Sequence, residues 1–458
     1  MNRKPFLPSA TFFLIILALL ISSPVPAFGQ QRDSTSGATL TLDEAVALAL
    51  RQNREVKIKE LAVDKTDDQI AAARTSRLPK FNLYTLGSQQ LSEINFRFEK
   101  GAFGTFPEIG PVPDKDTSLS SGRKPTFLII GQVTEPLSQH YQIGLNIKAL
   151  KVGREIAQEQ LRAEQQAVVN DVKRAYYAIL QTQSALQTSE DTIKLYRELD
   201  RVTGDYVAQQ VALKSESLDV KTRLAKAEYN ELTLSDQLAV QKEQLNSLLG
   251  RDIRTEFNVA APLEPAVFEA DLVAARSRAL EQRPEIKEAR LKLKQAEIDR
   301  SIKKSELIPE VSMTFNYISP VNFGSIIPKT IASVGLVFSW EIFDWGKKRR
   351  EMDEKSKTIE QAKASLLEAE NLVLIDVNSK YRKLRQTRSQ LLIAQLEQET
   401  ARENLRVTTN RYKVEAALLK DVLQIQASLA DANQKNQEAL LSFWTAKADF
   451  EKAIGEDK

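Results

Sequence analysis

Between Lys347 and Ile454 the chain contains neither glycine nor proline, although its 458 residues hold 16 of each. A stretch of that length, rich in Ala, Leu, Glu, Gln and Lys, has helix as its only plausible local state. Apolar and small residues recur within it every three or four positions: Ile359, Ala362, Leu366, Ala369, Val373, Val377, Tyr381, Leu384, Thr387, Leu391, Ala394, Gln398, Ala401, Leu405, Thr408 and Tyr412. This is a coiled-coil seam with one stutter near Val373–Tyr381. At about 1.5 Å per residue, Lys347 to Tyr412 alone spans roughly 100 Å, more than a globular core requires. A filamentous coiled coil would carry the same rod, so the flanking segments decide between the two.

The composition narrows the chemistry. The 64 Lys and Arg nearly cancel 61 Asp and Glu, leaving no basic excess for a nucleic-acid partner. With no cysteine there is no disulfide framework, thiol nucleophile, thiolate metal site or lipidated N-terminal Cys. The single histidine, His140, sits where a strand gives way to a helix and reads as a boundary residue. The sequence lacks a glycine-rich phosphate loop, a nucleophile elbow and metal-ligand spacing, so no catalytic residue, cofactor or metal is assigned.

Met1–Gly29 has the three parts of a secretory signal: Arg3 and Lys4, the apolar run Ala10–Ile21, and Ala27-Phe28-Gly29 at the cleavage site. Thr41-Leu42-Asp43-Glu44 is a capping box that opens a short helix to about Gln52. A second helix continues to Arg77 and ends before Leu78-Pro79. From Lys80 the period becomes two, with Phe81, Leu83 and Thr85 alternating with Asn82, Tyr84 and Leu86, which predicts a strand over about 80–91. Ser92–Arg123, rich in Gly, Pro, Ser and Asp, reads as a long polar loop. A second strand is expected over about 124–134 and a long helical hairpin over about 142–249.

The pattern then starts again. Ala49-Leu50-Arg51-Gln52-Asn53-Arg54-Glu55-Val56-Lys57 returns 230 positions later as Ala279-Leu280-Glu281-Gln282-Arg283-Pro284-Glu285-Ile286-Lys287, and Pro79 maps onto Pro309. The long helices repeat with a shift of 205: Tyr176 onto Tyr381, Arg201-Val202-Thr203 onto Arg406-Val407-Thr408, Leu249-Gly250 onto Ile454-Gly455. The mature chain is therefore two repeats, 30–261 and 262–458. The second places strands at about 310–318 (Val311, Met313, Phe315, Tyr317) and 331–341 (Val334, Leu336, Phe338, Trp340), and its hairpin at about 347–454.

Four strands cannot close a membrane barrel, whose strand number starts at about eight. Open edges in lipid would leave backbone groups unsatisfied. Membrane strands here require several chains to pool them, with eight, twelve or sixteen strands for a dimer, trimer or tetramer. Trp340, Phe343 and Trp345, clustered at one strand end, fit an interfacial aromatic girdle.

Leu40–Leu83 and its copy Leu272–Met313 resemble the opening of each half of the TolC-like outer-membrane efflux protein family. Trp340–Arg349 is similar to that family's strand exit, a Pro-Leu-Phe-Asp-Gly-Gly-Arg run. Arg411–Leu423 is similar to its helical-hairpin tip, Arg-Tyr-x-x-Gly followed by Asp-Val-Leu. The resemblance covers nearly the whole mature chain. It implies a mainly α fold with a small transmembrane β part: a trimer whose twelve pooled strands form an outer-membrane barrel and whose helices form a periplasmic tunnel. It further implies a passive export duct of a tripartite efflux or secretion system, with a periplasmic adaptor and an inner-membrane pump as partners alongside outer-membrane lipids.

By the same resemblance the duct is gated at the tips Tyr206–Glu216 and Arg411–Asp421, with Glu216, Tyr412 and Asp421 at the aperture. Gln210, Val211, Lys214, Arg411, Glu415 and Lys420 form the adaptor-contacting tips. The chain departs from the family there: Gln210 and Glu415 replace the tip glycines, Ala417 stands where some members have arginine, and Gln424 where they have a second aspartate. Lys347-Lys348-Arg349-Arg350 falls at the inner rim of the membrane. A structural tether joining outer membrane to cell envelope is the competing reading. It accounts for the signal and the rods but not for duplicated strand pairs.

Overall fold

The computed structural model describes residues 39–457, apart from 124, 211–212, 261–270, 323–327, 414–415 and 418. Met1–Gly29, the expected signal, lies outside the described residues. The first repeat opens with β1 (Thr39–Leu40), α1 (Leu42–Gln52) and α2 (Arg54–Thr75). The capping box forms as the sequence predicts: Thr41 Oγ1 accepts from Glu44 N, and Glu44 accepts from Thr41 N at 2.9 Å. Next come β2 (Lys80–Gln89), four short strands, β3 (Ile94–Phe98), β4 (Thr105–Phe106), β5 (Gly110–Pro111) and β6 (Thr117–Ser121), and then β7 (Pro125–Pro136). The helical hairpin follows as α3 (His140–Ala208) and α4 (Lys214–Leu248). After β8 (Asn258–Val259), the second repeat supplies α5 (Leu272–Gln282), α6 (Pro284–Ser305), β9 (Glu310–Val321), β10 (Ile331–Ser339), α7 (Lys347–Lys413) and α8 (Leu419–Ala453).

The duplication is metrical. α1 and α5 have 11 residues each, α2 and α6 have 22, and α4 and α8 have 35; α3 has 69 against 67 in α7. Each repeat centres a core on matching positions, with Leu441 and Trp444 of the second repeat packed into the first. Ala45, Ala49, Val56, Val172 and Leu249 in one correspond to Ala275, Ala279, Ile286, Val377 and Ile454 in the other. The seam read from the α7 sequence is real: from Ile359 to Thr408 every residue named in it is buried or half-buried. Val377 and Thr387 are fully enclosed.

The segment Ser92–Arg123 is not an unstructured loop. β3 pairs antiparallel with β6, placing Phe96 opposite Leu119, and β4 pairs with β5 inside that hairpin. The alternation Ile94-Asn95-Phe96-Arg97-Phe98 carries the strand. The abundant polar and glycine residues around it hide the period.

β2, β7, β9 and β10 make one antiparallel sheet in the order β10-β9-β7-β2. Each repeat contributes one pair, and β7 joins β9 across the repeats. The two outer strands, β2 and β10, are exposed along their whole length. No helix among the described residues is long and apolar enough to cross a membrane.

Candidate functional site

Register decides what the sheet can do. Phe81 pairs with Val133, Val133 with Phe315, and Phe315 with Val334, so one face carries an unbroken apolar row. Leu83, Thr85, Ile129, Met313, Tyr317, Leu336 and Phe338 share that face. It stays open in the chain: Phe81 is 78% exposed, Leu83 74% and Leu336 71%. The opposite face places Asn82, Gln132, Asn316 and Ser333 in a row. A sheet with one open apolar face, an amide row on the other and unpaired strands at both edges has the pattern of a barrel wall between lipid and water.

The strand exit follows β10. Trp340, Phe343 and Trp345 are all exposed there, Trp345 at 90%, and the Phe343 and Trp345 rings meet edge-on at 4.8 Å. The chain reverses through Trp345 (φ 57°) and Gly346 (φ 80°) into α7. Asp344 makes the start of α7: its carboxylate accepts from Gly346 N at 3.0 Å and from Lys348 N at 2.9 Å. Those bonds, the one from Lys348 first, hold its carboxyl below the usual range. Asp344 thereby offsets four consecutive cations where the helix dipole disfavours them. Lys348 is tied to Glu341 at 3.1 Å.

At the far end of the rods, Gln210 follows α3 with φ 58°, the left-handed conformation that glycine takes most easily. The turn is made without glycine, at a cost of about 1 kcal/mol. Lys214 opens α4 and is exposed, as is Arg411 near the end of α7, whose carbonyl accepts from Ala416 N at 2.8 Å. Asp421 is half-buried and takes part in a polar interaction. Val211 and Glu415 lie outside the described residues, as do the side chains of Glu216, Tyr412 and Lys420. One chain brings its two tips to the same end of the rods. Among the described residues no group of three or more His, Asp or Glu could hold a metal.

The profile of the outer membrane efflux protein family matches residues 45–251 and 275–456, one segment in each repeat. The chain belongs to the outer membrane efflux protein family. Over 284 residues it is 25% identical to the probable efflux pump outer membrane protein TtgC of Pseudomonas putida, a match covering 60% of this chain and 53% of that protein. An uncharacterized protein of Haemophilus influenzae is 22% identical over 320 residues, 68% of each chain. Among solved structures, the Campylobacter jejuni CmeC outer membrane channel superposes with a TM-score of 0.73 at 16% identity, covering 90% of this chain and 85% of that one. The open state of the Neisseria gonorrhoeae MtrE outer membrane channel gives 0.70 at 17% identity over 91% and 89%. This efflux protein thus has the TolC-like fold, resides in the outer membrane with its helices extending into the periplasm, and serves as an export channel. Its family consists of channels rather than enzymes, and the Pseudomonas putida relative is a probable outer-membrane component of an efflux pump. The tether reading finds no support among them.

Proposed function

We propose that three copies close into one twelve-stranded barrel continued by a helical tunnel, a passive duct without catalysis of its own. The observation that carries this reading is the pair of open edges: β2 and β10 are fully exposed, and only other chains can pair them in lipid. The rods support it. Leu367, Leu372, Ile375, Leu392, Ile393 and Leu396 on α7 are each more than half exposed, as are Tyr229, Leu232 and Val240 on α4. Apolar surface of that extent on a water-facing rod points to a neighbouring protomer. Trp340, Phe343 and Trp345 would sit among lipid headgroups, with Lys347–Arg350 just inside. An adaptor would dock on the tips at Gln210, Val211, Lys214, Arg411, Glu415 and Lys420, linking the duct to an inner-membrane pump.

Glu216 and Asp421 would then place six carboxylates around one aperture, with Tyr412 bonding across it. At separations of about 8 Å and an effective dielectric near 20, each like-charge pair costs on the order of 2 kcal/mol before screening. Such a ring draws cations to the entrance. Light scattering on detergent-solubilised protein should give a trimer, and planar bilayers should show pores. The double change Glu216→Gln with Asp421→Asn should lower cation selectivity and weaken block by a trivalent cation on the periplasmic side, whereas Tyr412→Phe should raise closed-state conductance. A well-folded monomer with native strand content would overturn the architecture. Unchanged selectivity and block in the double variant would remove only the acidic gate.

A further inference from the structure

The water-facing side of the sheet is banded. Next to the amide row Asn82–Gln132–Asn316–Ser333 runs an entirely apolar one, Tyr84–Ile130–Ile318–Ile331, spanning all four strands. The row beyond it is apolar as well: Leu86, Leu128 and Pro320. Then polarity returns with Ser88 and Thr126, whose hydroxyls bond at 2.8 Å. The only charged residues of this face in the four strands are Lys80 and Glu310, each the first residue of its strand, at the helix end. Tyr84 is 54% exposed, Leu86 64% and Ile331 42%. Leu128, Ile130, Ile318 and Pro320 between them are half-buried. A bore that needed only to pass water and ions would gain nothing from a double row of wholly or partly exposed apolar side chains, which water solvates poorly.

We propose that this double row is a contact surface for amphiphilic solutes leaving through the barrel. An apolar body rests on Tyr84, Ile130, Ile318 and Ile331 while its polar group bonds to the amides of Asn82, Gln132 and Asn316. Because the wall holds no fixed charge between its rim and its outer mouth, the surface accepts such solutes irrespective of the sign of their charge. Barrel strands tilt by about 35–45°, so the rows climb around the bore and those of neighbouring chains overlap as a rising band rather than a flat ring. The inference rests on the barrel reading above.

Planar-bilayer recording with ions of matched charge and different body tests it. Tetrabutylammonium and benzenesulfonate, each added on the outer side, should reduce current at concentrations about tenfold below tetramethylammonium and methanesulfonate, the equivalent of burying about two methylenes. Ile130→Thr combined with Ile318→Thr keeps β-branched residues suited to strands and should shrink both ratios to about threefold or less, with the pore retained. Wild-type pores that do not distinguish body size overturn the band while leaving the barrel in place. Discrimination confined to the cations also overturns it, since an acidic tip would act on that sign alone. Absence of any pore overturns both readings. The wild-type comparison does not depend on the variant folding.

Discussion

In the first repeat the hairpin is fastened to the short helices by an amide. Asn53 Oδ1 accepts from Glu55 N at 2.8 Å and Val56 N at 3.2 Å, capping α2, while its Nδ2 donates to Leu248 O at 2.8 Å. The matching residue of the second repeat is Arg283. Its guanidinium donates to Glu285, to Asp376 at 3.2 Å and to Lys452 O at 3.3 Å. The backbone is alike at both joints, and the neighbour explains the different chemistry. Pro284 at the first position of α6 presets φ for the helix, and Arg283 before it makes no side-chain cap bond. It is free to be long and to bridge helices. In the first repeat, where Arg54 stands in place of proline, Asn53 supplies the cap with its side chain.

Both hairpins end on a glycine with positive φ, Gly250 at 72° and Gly455 at 84°, and each lies against the end of the matching short helix. They differ in clearance. A Cβ on Gly250 would come within 2.1 Å of Gln52 O, whereas on Gly455 it would stand 3.1 Å from the Gln282 carbonyl carbon and Cβ. Gly250→Ala should therefore destabilise by about 3 kcal/mol or more, left-handed strain and backbone displacement together, and Gly455→Ala by about 1–2 kcal/mol. Thermal dissociation of the detergent-solubilised assembly reads both. Equal effects would mean that the two joints are interchangeable.

Side chains sharpen the contrast next. Arg283→Ala strands the half-exposed Asp376 and the Lys452 carbonyl and should cost about 2–3 kcal/mol; Asn53→Ala, which loses a cap and one bond, should cost about 1–2 kcal/mol. Arg283→Asn should rescue little, because the shorter amide cannot span to α7.

A smaller difference separates the paired tyrosines. Tyr176 Oη lies 2.8 Å from both the Leu40 and Ala260 carbonyls and accepts from Ala260 N at 3.0 Å, tying down the parallel pair β1–β8. Its counterpart Tyr381 packs on Phe450, with no hydrogen-bond partner among the described residues. Tyr176→Phe should cost about 1 kcal/mol and Tyr381→Phe close to nothing. Urea-dependent unfolding of the matched variants would resolve the gap.

Acid should produce the smallest effect at the Asp449 position, which titrates in one repeat and not in the other. Asp449 joins three helices, accepting from Asn170 at 3.1 Å and Lys380 at 2.9 Å. Burial raises its pKa, but the bonds from Lys380 and Asn170 prevail and hold it below the ordinary value of 3.8. Its depressed carboxyl contributes stability that is complete above about pH 5 and is lost as pH falls below 3.8 toward the folded value. The first repeat has Gln244 at the matching position, which does not titrate. Amide exchange should accelerate in the last turns of α8, not α4, between about pH 5 and pH 3. Asp449→Asn should flatten that response.

Much of the fold was legible because its periods are long and uninterrupted. The α7 seam runs from Ile359 to Thr408 as its spacing indicates, and Pro79 and Pro309 each mark a helix end before a strand. Ser92–Arg123 looks like a loop in the sequence because β3 and β6 hold only five residues each and pair across a gap of polar and glycine residues. The joints show another limit. A repeat identified by the likeness of Ala49–Lys57 to Ala279–Lys287 says where Asn53 and Arg283 sit, but not that one caps and the other bridges. The banding of the barrel wall was equally out of reach, since no single strand reveals which residues stand beside Tyr84. The tips are a third case: Gln210 stands out in the sequence as a departure, and its φ of 58° supplies the left-handed residue that a glycine would have given.

The pairing of β7 with β9 has a consequence in time. Gly131 and Tyr317, partners in that pair, are separated in sequence by the whole first hairpin and two further helices. Contacts of such separation form late when the intervening chain is loose, because ordering it is entropically expensive. Here the intervening chain is two antiparallel rods that form from local contacts and return the chain close to where it left. The rods act as a jig: once folded in water, they deliver the start of β9 beside the end of β7 with little freedom left to lose. The strands most prone to stick to the wrong partner would thus be presented to one another last and already in register.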